Sequence, residues 1–299
     1  MNCDKLVRHA KKNLIMHKKS EVVRRLALLR QSKWRRDRTE EVLVKGKTQI
    51  ENIARVSPCI RFKEILVSNK LNNYDFIENL NSRRVLRVDP KLLYHIAYHD
   101  RPLRASGGEE DETISDEILS DASIGESLMV GTLPKPIQSI PENIKFALCM
   151  NDVIFPDNVG SLLQTAHAIG GVDVVIGTEK TCDFFGWKVL EACKGLGYGI
   201  PKAVISDPKE LNALISQHNL LPIVGDCSEG QDFTSIDTSK YSGVVVIVGN
   251  EKHGPTQAIR DMAVKIRIPI KIHSLNVGVA GGILLQMAKS AFSGKLASN

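Results

Sequence analysis

Aromatic side chains are scarce in this chain: Phe, Trp and Tyr make up 5% of its 299 residues, and tryptophan occurs twice. Long apolar runs are missing too. None approaches the roughly 20 residues that a bilayer-spanning helix needs. No continuous apolar core marks a signal peptide at the N-terminus. Six cysteines are present, at Cys3, Cys59, Cys149, Cys182, Cys193 and Cys227, without a Cys-x-x-Cys pair or a histidine cluster beside them. These absences argue against a membrane partner, a zinc site and a disulfide framework. They point to reduced thiols in a reducing intracellular compartment, the cytoplasm or an organelle matrix. No G-x-G-x-x-G follows the first strand expected in the C-terminal half, which argues against a dinucleotide oxidoreductase.

What is present begins with charge. The net charge is +6, but residues 1–38 hold thirteen Lys or Arg against Asp4, Glu21 and Asp37. That basic segment carries +10, so the remainder carries −4. A cationic arm on a mildly acidic body suits a polyanionic partner, with nucleic acid first. A solvated helix face and an organelle-targeting segment remain alternative readings of the same composition.

The hydrophobic pattern divides the rest. Residues 5–36 carry apolar side chains at loosely helical spacing, so the spacing predicts a basic helical extension over 1–38. Residues 39–103 alternate short apolar runs with helical patterns: strands at 42–44, 64–67 and 84–88, and helices at 46–56, 74–80 and 90–97. That describes a small α/β domain. Residues 104–143 open with Gly107-Gly108-Glu109-Glu110-Asp111-Glu112 and close with Pro134, Pro136 and Pro141. They read as a flexible acidic insertion followed by an extended linker. From 144 to 299 the alternation resumes. Continuous apolar runs at 146–150, 172–176, 203–205, 220–224, 244–248 and 265–268 suit strands covered on both faces. Helices are expected at 158–168, 188–193, 208–217 and about 276–292. The fold class is therefore α/β, with a mostly parallel, doubly wound C-terminal sheet.

Three segments at strand ends carry polar and glycine residues, where open α/β sheets bind ligands. In the first, Asn158 is placed to cap a helix, and Gln164 lies less than two turns further along the same helix. In the second, Gly249-Asn250-Glu251-Lys252-His253-Gly254 follows the apolar strand Gly243–Val248. Its glycines are expected to present backbone to a ligand. Glu251 either contacts substrate or caps a helix near Pro255. In the third, Ser274 is the expected N-cap of an apolar helix that contains Gly278, Gly281 and Gly282. Such a smooth face serves close packing against a cofactor, a strand, another helix or a second subunit.

Together the three segments resemble the signature motifs of the SpoU–TrmH branch of the SPOUT RNA methyltransferases. Asn158-Val-Gly-Ser-Leu-Leu-Gln164-Thr-Ala166 is similar to the first motif. Val246-Ile-Val-Gly249-Asn-Glu251-Lys-His-Gly254 is similar to the second. Ile268-Pro269-Ile270 with Ser274-Leu275-Asn276-Val277-Gly278-Val279-Ala280 is similar to the third. Residues 39–103 more loosely resemble the family's small substrate-binding domain. The resemblance implies a trefoil-knotted α/β domain, a homodimer, S-adenosylmethionine (SAM) as cofactor, and 2′-O-methylation of a ribose in rRNA or tRNA. It implies a cofactor site at Val248, Gly249, Asn250, Ile268, Pro269, Leu275 and Val277. The reaction site would comprise Asn158, Gln164, Glu251, Ser274 and Asn276. Two positions depart from the pattern: Gln164 stands where the family carries Arg, and Gly278 where it carries Ser. A neutral amide has no positive charge and is no base near neutral pH. The chain therefore also admits a second reading, a catalytically silent SAM- and RNA-binding assembly factor that keeps the methyltransferase fold.

Overall fold

A computed structural model describes residues 20–70, 75–98, 128–226, 229–272 and 274–296. The acidic insertion at 104–127 and the first half of the basic arm lie outside the described residues. The chain divides into two compact units, one within Met1–Lys135 together with Phe185–Glu191, the other Pro136–Phe184 with Ala192–Asn299.

The first unit is built on a four-stranded sheet. Its strands are β1 (Glu41–Lys45), β2 (Glu64–Ser68), β3 (Val85–Val88) and β4 (Met129–Pro134), in the order β1-β4-β2-β3. β4 pairs antiparallel with both β1 and β2, while β2 and β3 run parallel. The helices are α1 (Glu21–Gln31), α2 (Lys33–Thr39), α3 (Lys47–Val56), α4 (Asp75–Glu78) and α5 (Pro90–Tyr98). Val23, Leu26 and Leu29 bury the apolar stripe of α1 beside Leu43, Leu66, Leu93 and Ile96. Stripes at this spacing are what pin a short helix to a sheet.

Two expectations change here. The single helix over 5–36 is broken at Ser32, whose backbone is extended (φ −111°, ψ 115°) and whose hydroxyl accepts from the Arg35 amide at 3.2 Å. A serine that bonds its own backbone starts a new helix rather than continuing the old one. The stretch expected as linker supplies β4, which lies inside the small sheet. Its Gly131 and Thr132 weakened the apolar signal, but both are buried there. A Cβ at Gly131 would meet the Phe62 ring and Val44 at 3.2 Å, and Thr132 is buried beside Glu64.

Several cations of the basic arm are committed to this unit. Arg25 pairs with Glu41 and with buried Glu64, which also receives Arg84. Arg36 is 4% exposed and donates to the carbonyls of Leu29 and Arg30, closing the C-terminus of α1.

The second unit holds six parallel strands in the order β10-β8-β9-β5-β6-β7. They are β5 (Phe146–Asn151), β6 (Val174–Thr178), β7 (Lys202–Ile205), β8 (Leu220–Asp226), β9 (Gly243–Gly249) and β10 (Val264–Arg267). The helices are α6 (Pro156–Ile169), α7 (Trp187–Ala192, largely in the first unit), α8 (Pro208–His218), α9 (Gln257–Met262), α10 (Val277–Ala291) and α11 (Ser293–Leu296). Ala147, Cys149, Val245 and Ile247 face one core with Leu211, Leu214 and Ile259 from α8 and α9. The opposite face of the sheet is covered by α6 and α10. Both faces are buried, which is why these strands read as unbroken apolar runs. The order reverses between β5 and β9, so the loops leaving these two strands bound a crevice at the C-terminal edge.

Candidate active site

β5 ends on a buried asparagine. Asn151 Oδ1 accepts from the Thr256 amide at 2.7 Å. The next residue, Asp152, is left-handed (φ 60°), a state that Asp and Asn tolerate better than other side chains. Its carboxylate accepts from Thr178 Oγ1 at 2.6 Å, and its carbonyl accepts from Asn250 Nδ2 at 3.0 Å. Asn250 Oδ1 takes the amides of Lys252 (3.0 Å) and His253 (3.2 Å). Its backbone exchanges hydrogen bonds with Gly254 at 3.1 and 2.8 Å. The loop after β9 is thus folded on itself. Gly249 permits this closure, since a Cβ there would lie 2.0 Å from Pro255 N, and Gly254 adopts φ 67°. The Asn250 side chain thus holds the loop together.

Glu251 does bind a helix start, but not the one after Pro255. Its carboxylate accepts from the Phe155 amide (3.1 Å), the Ile154 amide (3.4 Å) and Asn158 Nδ2 (2.9 Å). These groups open α6, whose own N-cap, Phe155, has no side chain to do this. A carboxylate against exposed helix amides is favourable. Burial raises the Glu251 pKa, yet the bonds from Asn158, Phe155 and Ile154 outweigh it and hold the group below the ordinary carboxylate value. An ionised acid with its acceptors filled positions neighbours; it is a poor proton acceptor.

Asn158 is the third residue of α6 rather than its cap, which frees its side chain to bridge. Its Oδ1 accepts from Asn276 Nδ2 at 2.9 Å. Asn276 in turn is the N-cap of α10, with Oδ1 accepting from Gly278 N (2.8 Å) and Val279 N (3.4 Å). Ser274, the expected cap, lies two residues before this position and is exposed. Glu251, Asn158 and Asn276 therefore form one chain of hydrogen bonds that ties all three loops together.

These loops enclose a cavity of about 520 Å³, within the usual range for small-molecule sites. Asn158, Glu251, Ser274 and Asn276 line its polar side. Val248, Gly249, Asn250, Ile268, Leu275 and Val277 line it as well. Pro269 and Gln164 do not belong to its wall; Gln164 is half-buried on α6. Val224 and Gly225, at the end of β8, complete the apolar side with Leu284. Sequence reasoning missed this fourth strand end, although glycine directly after the run Leu220–Val224 was a signal. A Cβ at Gly225 would stand 3.2 Å from both Ile268 Cδ1 and Leu284 Cδ1, so the missing side chain keeps the cavity open. Apolar side chains, backbone and side-chain amide groups thus line one cavity.

Residues 145–286 match the model of the SpoU rRNA methylase family. The chain is 30% identical over 164 residues to an uncharacterized tRNA/rRNA methyltransferase of Borreliella burgdorferi, spanning 52% of this chain and 71% of that protein. The chain belongs to the SpoU family. Within it, the 23S rRNA (guanosine-2′-O-)-methyltransferase RlmB of Escherichia coli K12 is 24% identical over 180 residues, covering 59% of this chain and 72% of RlmB. The fold matches the SpoU methyltransferase AviRb of Streptomyces viridochromogenes, crystallised with AdoMet, with a TM-score of 0.71 at 18% identity over 91% of this chain and 98% of that one.

Proposed function

We propose that this SpoU-family protein is a SAM-dependent methyltransferase that modifies a ribose 2′-hydroxyl of rRNA or tRNA. The observation that carries this reading is the hydrogen-bonded chain Glu251–Asn158–Asn276, which joins the three family motifs around one cavity. When bound, SAM supplies an electrophilic methyl group on a sulfonium. Val248, Ile268, Leu284 and the open space at Gly225 would hold its adenine face. The main chain at Gly249, Leu275 and Val277 would meet its polar edge. Asn158, Ser274 and Asn276 border the end of the cavity where a ribose would enter. Their part is to orient the hydroxyl oxygen in line with the methyl carbon, and alignment of this kind supplies much of the rate of a transfer step. Lys252, also on the wall, offers a cation for an adjacent phosphate.

The test is incubation of the protein with methyl-labelled SAM and total RNA, followed by nucleoside analysis. Label at a ribose 2′ position is expected. Absence of label with SAM demonstrably bound would reject the reading. Gln164 in place of the family's Arg favours the second reading, a silent SAM- and RNA-binding factor. Transfer by Gln164→Arg alone, with an inert natural chain, would select it.

The reading extends to a homodimer. Val279 is 53% exposed, and with Ile283 and Met287 of α10 and Thr165 of α6 it lines an open, mostly apolar groove. Such a face supports contact with a second copy. Sedimentation of the natural chain as a dimer and of Val279→Asp as a monomer is expected; a monomeric natural chain would refute it. The family's knot is part of the same reading, supported by the path from edge strand β10 into α10, which returns to pack on β9 and α6. Cys59 and Cys149, which are free among the described residues, support a reducing compartment.

A further inference from the structure

Helix α2 presents an aromatic side chain where burial does not explain it. Trp34 is 61% exposed, in a chain with two tryptophans. The Arg38 guanidinium lies one turn along the same helix, 5.2 Å from the Trp34 ring centroid. That is the range of a cation–π contact. Among the described residues Arg38 has no acidic partner. The one acid of the helix, Asp37, is taken up by Lys33 at 2.7 Å and by Lys135. Those two lysines hold its carboxyl below its ordinary value against the opposing effect of partial burial. Arg36 faces inward, spent on the carbonyls that end α1. Among the described residues, the outward surface of α2 therefore presents an indole with a guanidinium beside it that no carboxylate neutralises.

We propose that Trp34 and Arg38 form a stacking platform for an unpaired base of the RNA substrate. This rests on the reading of the protein as acting on RNA, and adds that the bound segment is single-stranded there. An indole face offers stacking to any base, and an arginine plane extends that surface while its charge attracts the flanking phosphate. Duplex RNA has no free base face to offer, so the platform discriminates between the two forms.

The test measures binding of the full chain to an unstructured oligouridylate and to a base-paired RNA duplex of equal length across a salt series. Trp34→Ala is expected to weaken the single-stranded probe by about tenfold or more, with the salt slope unchanged. Trp34→Phe is expected to retain most of the affinity, and duplex binding is expected to stay the same in both variants. Arg38→Ala is expected to reduce the salt slope by about 1. Tryptophan fluorescence gives a second readout. The signal lost in Trp34→Phe should be the signal that the oligouridylate quenches, because Trp187 lies half-buried under Lys45 Nζ at 4.3 Å. Equal affinity of Trp34→Ala and the natural chain for the single strand, or equal losses on both probes, overturns the platform while leaving the methyltransferase reading intact. Failure of the natural chain to bind either RNA overturns both.

Discussion

Asn276 Nδ2 donates to Asn158 Oδ1 at 2.9 Å across 118 residues of sequence. This bond makes the cap of one helix depend on the first turn of another. Asn158 spends its other end on Glu251 at 2.9 Å, so one side chain links three loops. Asn158→Ala removes both bonds and leaves each partner facing the cavity without its mate. Methyl transfer is expected to fall by about a hundredfold or more, since misplacement of positioning groups is costly in rate. The melting midpoint should fall by only a few degrees, as two partly exposed hydrogen bonds contribute about 1 kcal/mol each. Single-turnover assays beside thermal melts would check this; equal proportional losses of folding and rate would refute it.

The same network has a pH signature. The Glu251 carboxyl is held below its ordinary value of 4.5. A group depressed in the folded state adds stability that is complete above the unfolded pKa and is lost as pH falls through the folded one. Stability of the natural chain relative to Glu251→Gln should therefore be constant above about pH 5 and decline below it. Urea titrations of both chains over the acid range would show it. Curves that stay parallel down to acid unfolding would contradict the assignment.

Gly225 separates cavity shape from stability. A side chain there would project toward Ile268 and Leu284, so a valine would occupy space that the proposed function assigns to the adenine ring. Gly225→Val should weaken SAM binding by about tenfold or more while the fold survives, because the residue is exposed at a strand end. Gln164→Ala, outside the cavity wall, should leave SAM affinity within about twofold of natural. Calorimetric titration reads both. Loss of SAM affinity on changing Gln164 would place that residue at the cofactor rather than at the reaction site.

Gly281 tests the smooth face of α10. A Cβ there would meet Leu162 Cδ2 at 2.4 Å and Val248 Cγ1 at 3.0 Å, whereas one at Gly282 would meet Thr165 Cγ2 at 3.4 Å. The first contact requires the buried Leu162 side chain, or the helix that carries it, to shift, and the second is ordinary packing. Gly281→Ala should destabilise by about 1–3 kcal/mol, the usual range for overpacking. Gly282→Ala should leave chain stability unchanged or slightly raised through helix propensity. Denaturant midpoints for the pair would decide, and equal effects would mean that the helix contact is looser than the distances state.

How much of this was legible beforehand depends on whether the determinant is local. The runs Phe146–Asn151 and Gly243–Gly249 announce buried strands because both of their faces are covered. The helix expected at 208–217 is present as α8, and Asp207 with Glu210 forms a reciprocal cap at its start. β4 did not announce itself, since Met129-Val-Gly-Thr-Leu-Pro becomes a strand through its two neighbours rather than through its own propensity. The site showed the same division. The motif loops stood out by their glycines and asparagines. The reach of Glu251 to Ile154, Phe155 and Asn158, and of Asn276 to Asn158, depends on pairings 93 or more residues apart. No local pattern encodes such a pairing.

Lys202 is a buried cation whose role no sequence feature signalled. It is 3% exposed at the start of β7, and its Nζ donates to the carbonyls of Gly197 (2.6 Å), Ile200 (2.7 Å) and Tyr198 (3.4 Å). Burial pushes its pKa down to about 7 from 10.5, against a smaller opposing effect of Cys193. A lysine depressed in this way binds its proton more tightly in the unfolded chain. Its contribution is then fullest above about pH 10.5 and is lost as pH falls through about 7. Lys202→Met removes the titrating group and leaves three carbonyls without their donor, so it should destabilise the unit by about 2–4 kcal/mol. It should also abolish the rise in stability with pH over that interval. Chemical denaturation of both chains from neutral to alkaline pH gives the difference directly. If the two stability curves keep a constant separation across this range, Lys202 retains its proton in the folded chain and the three carbonyls, not burial, set its charge.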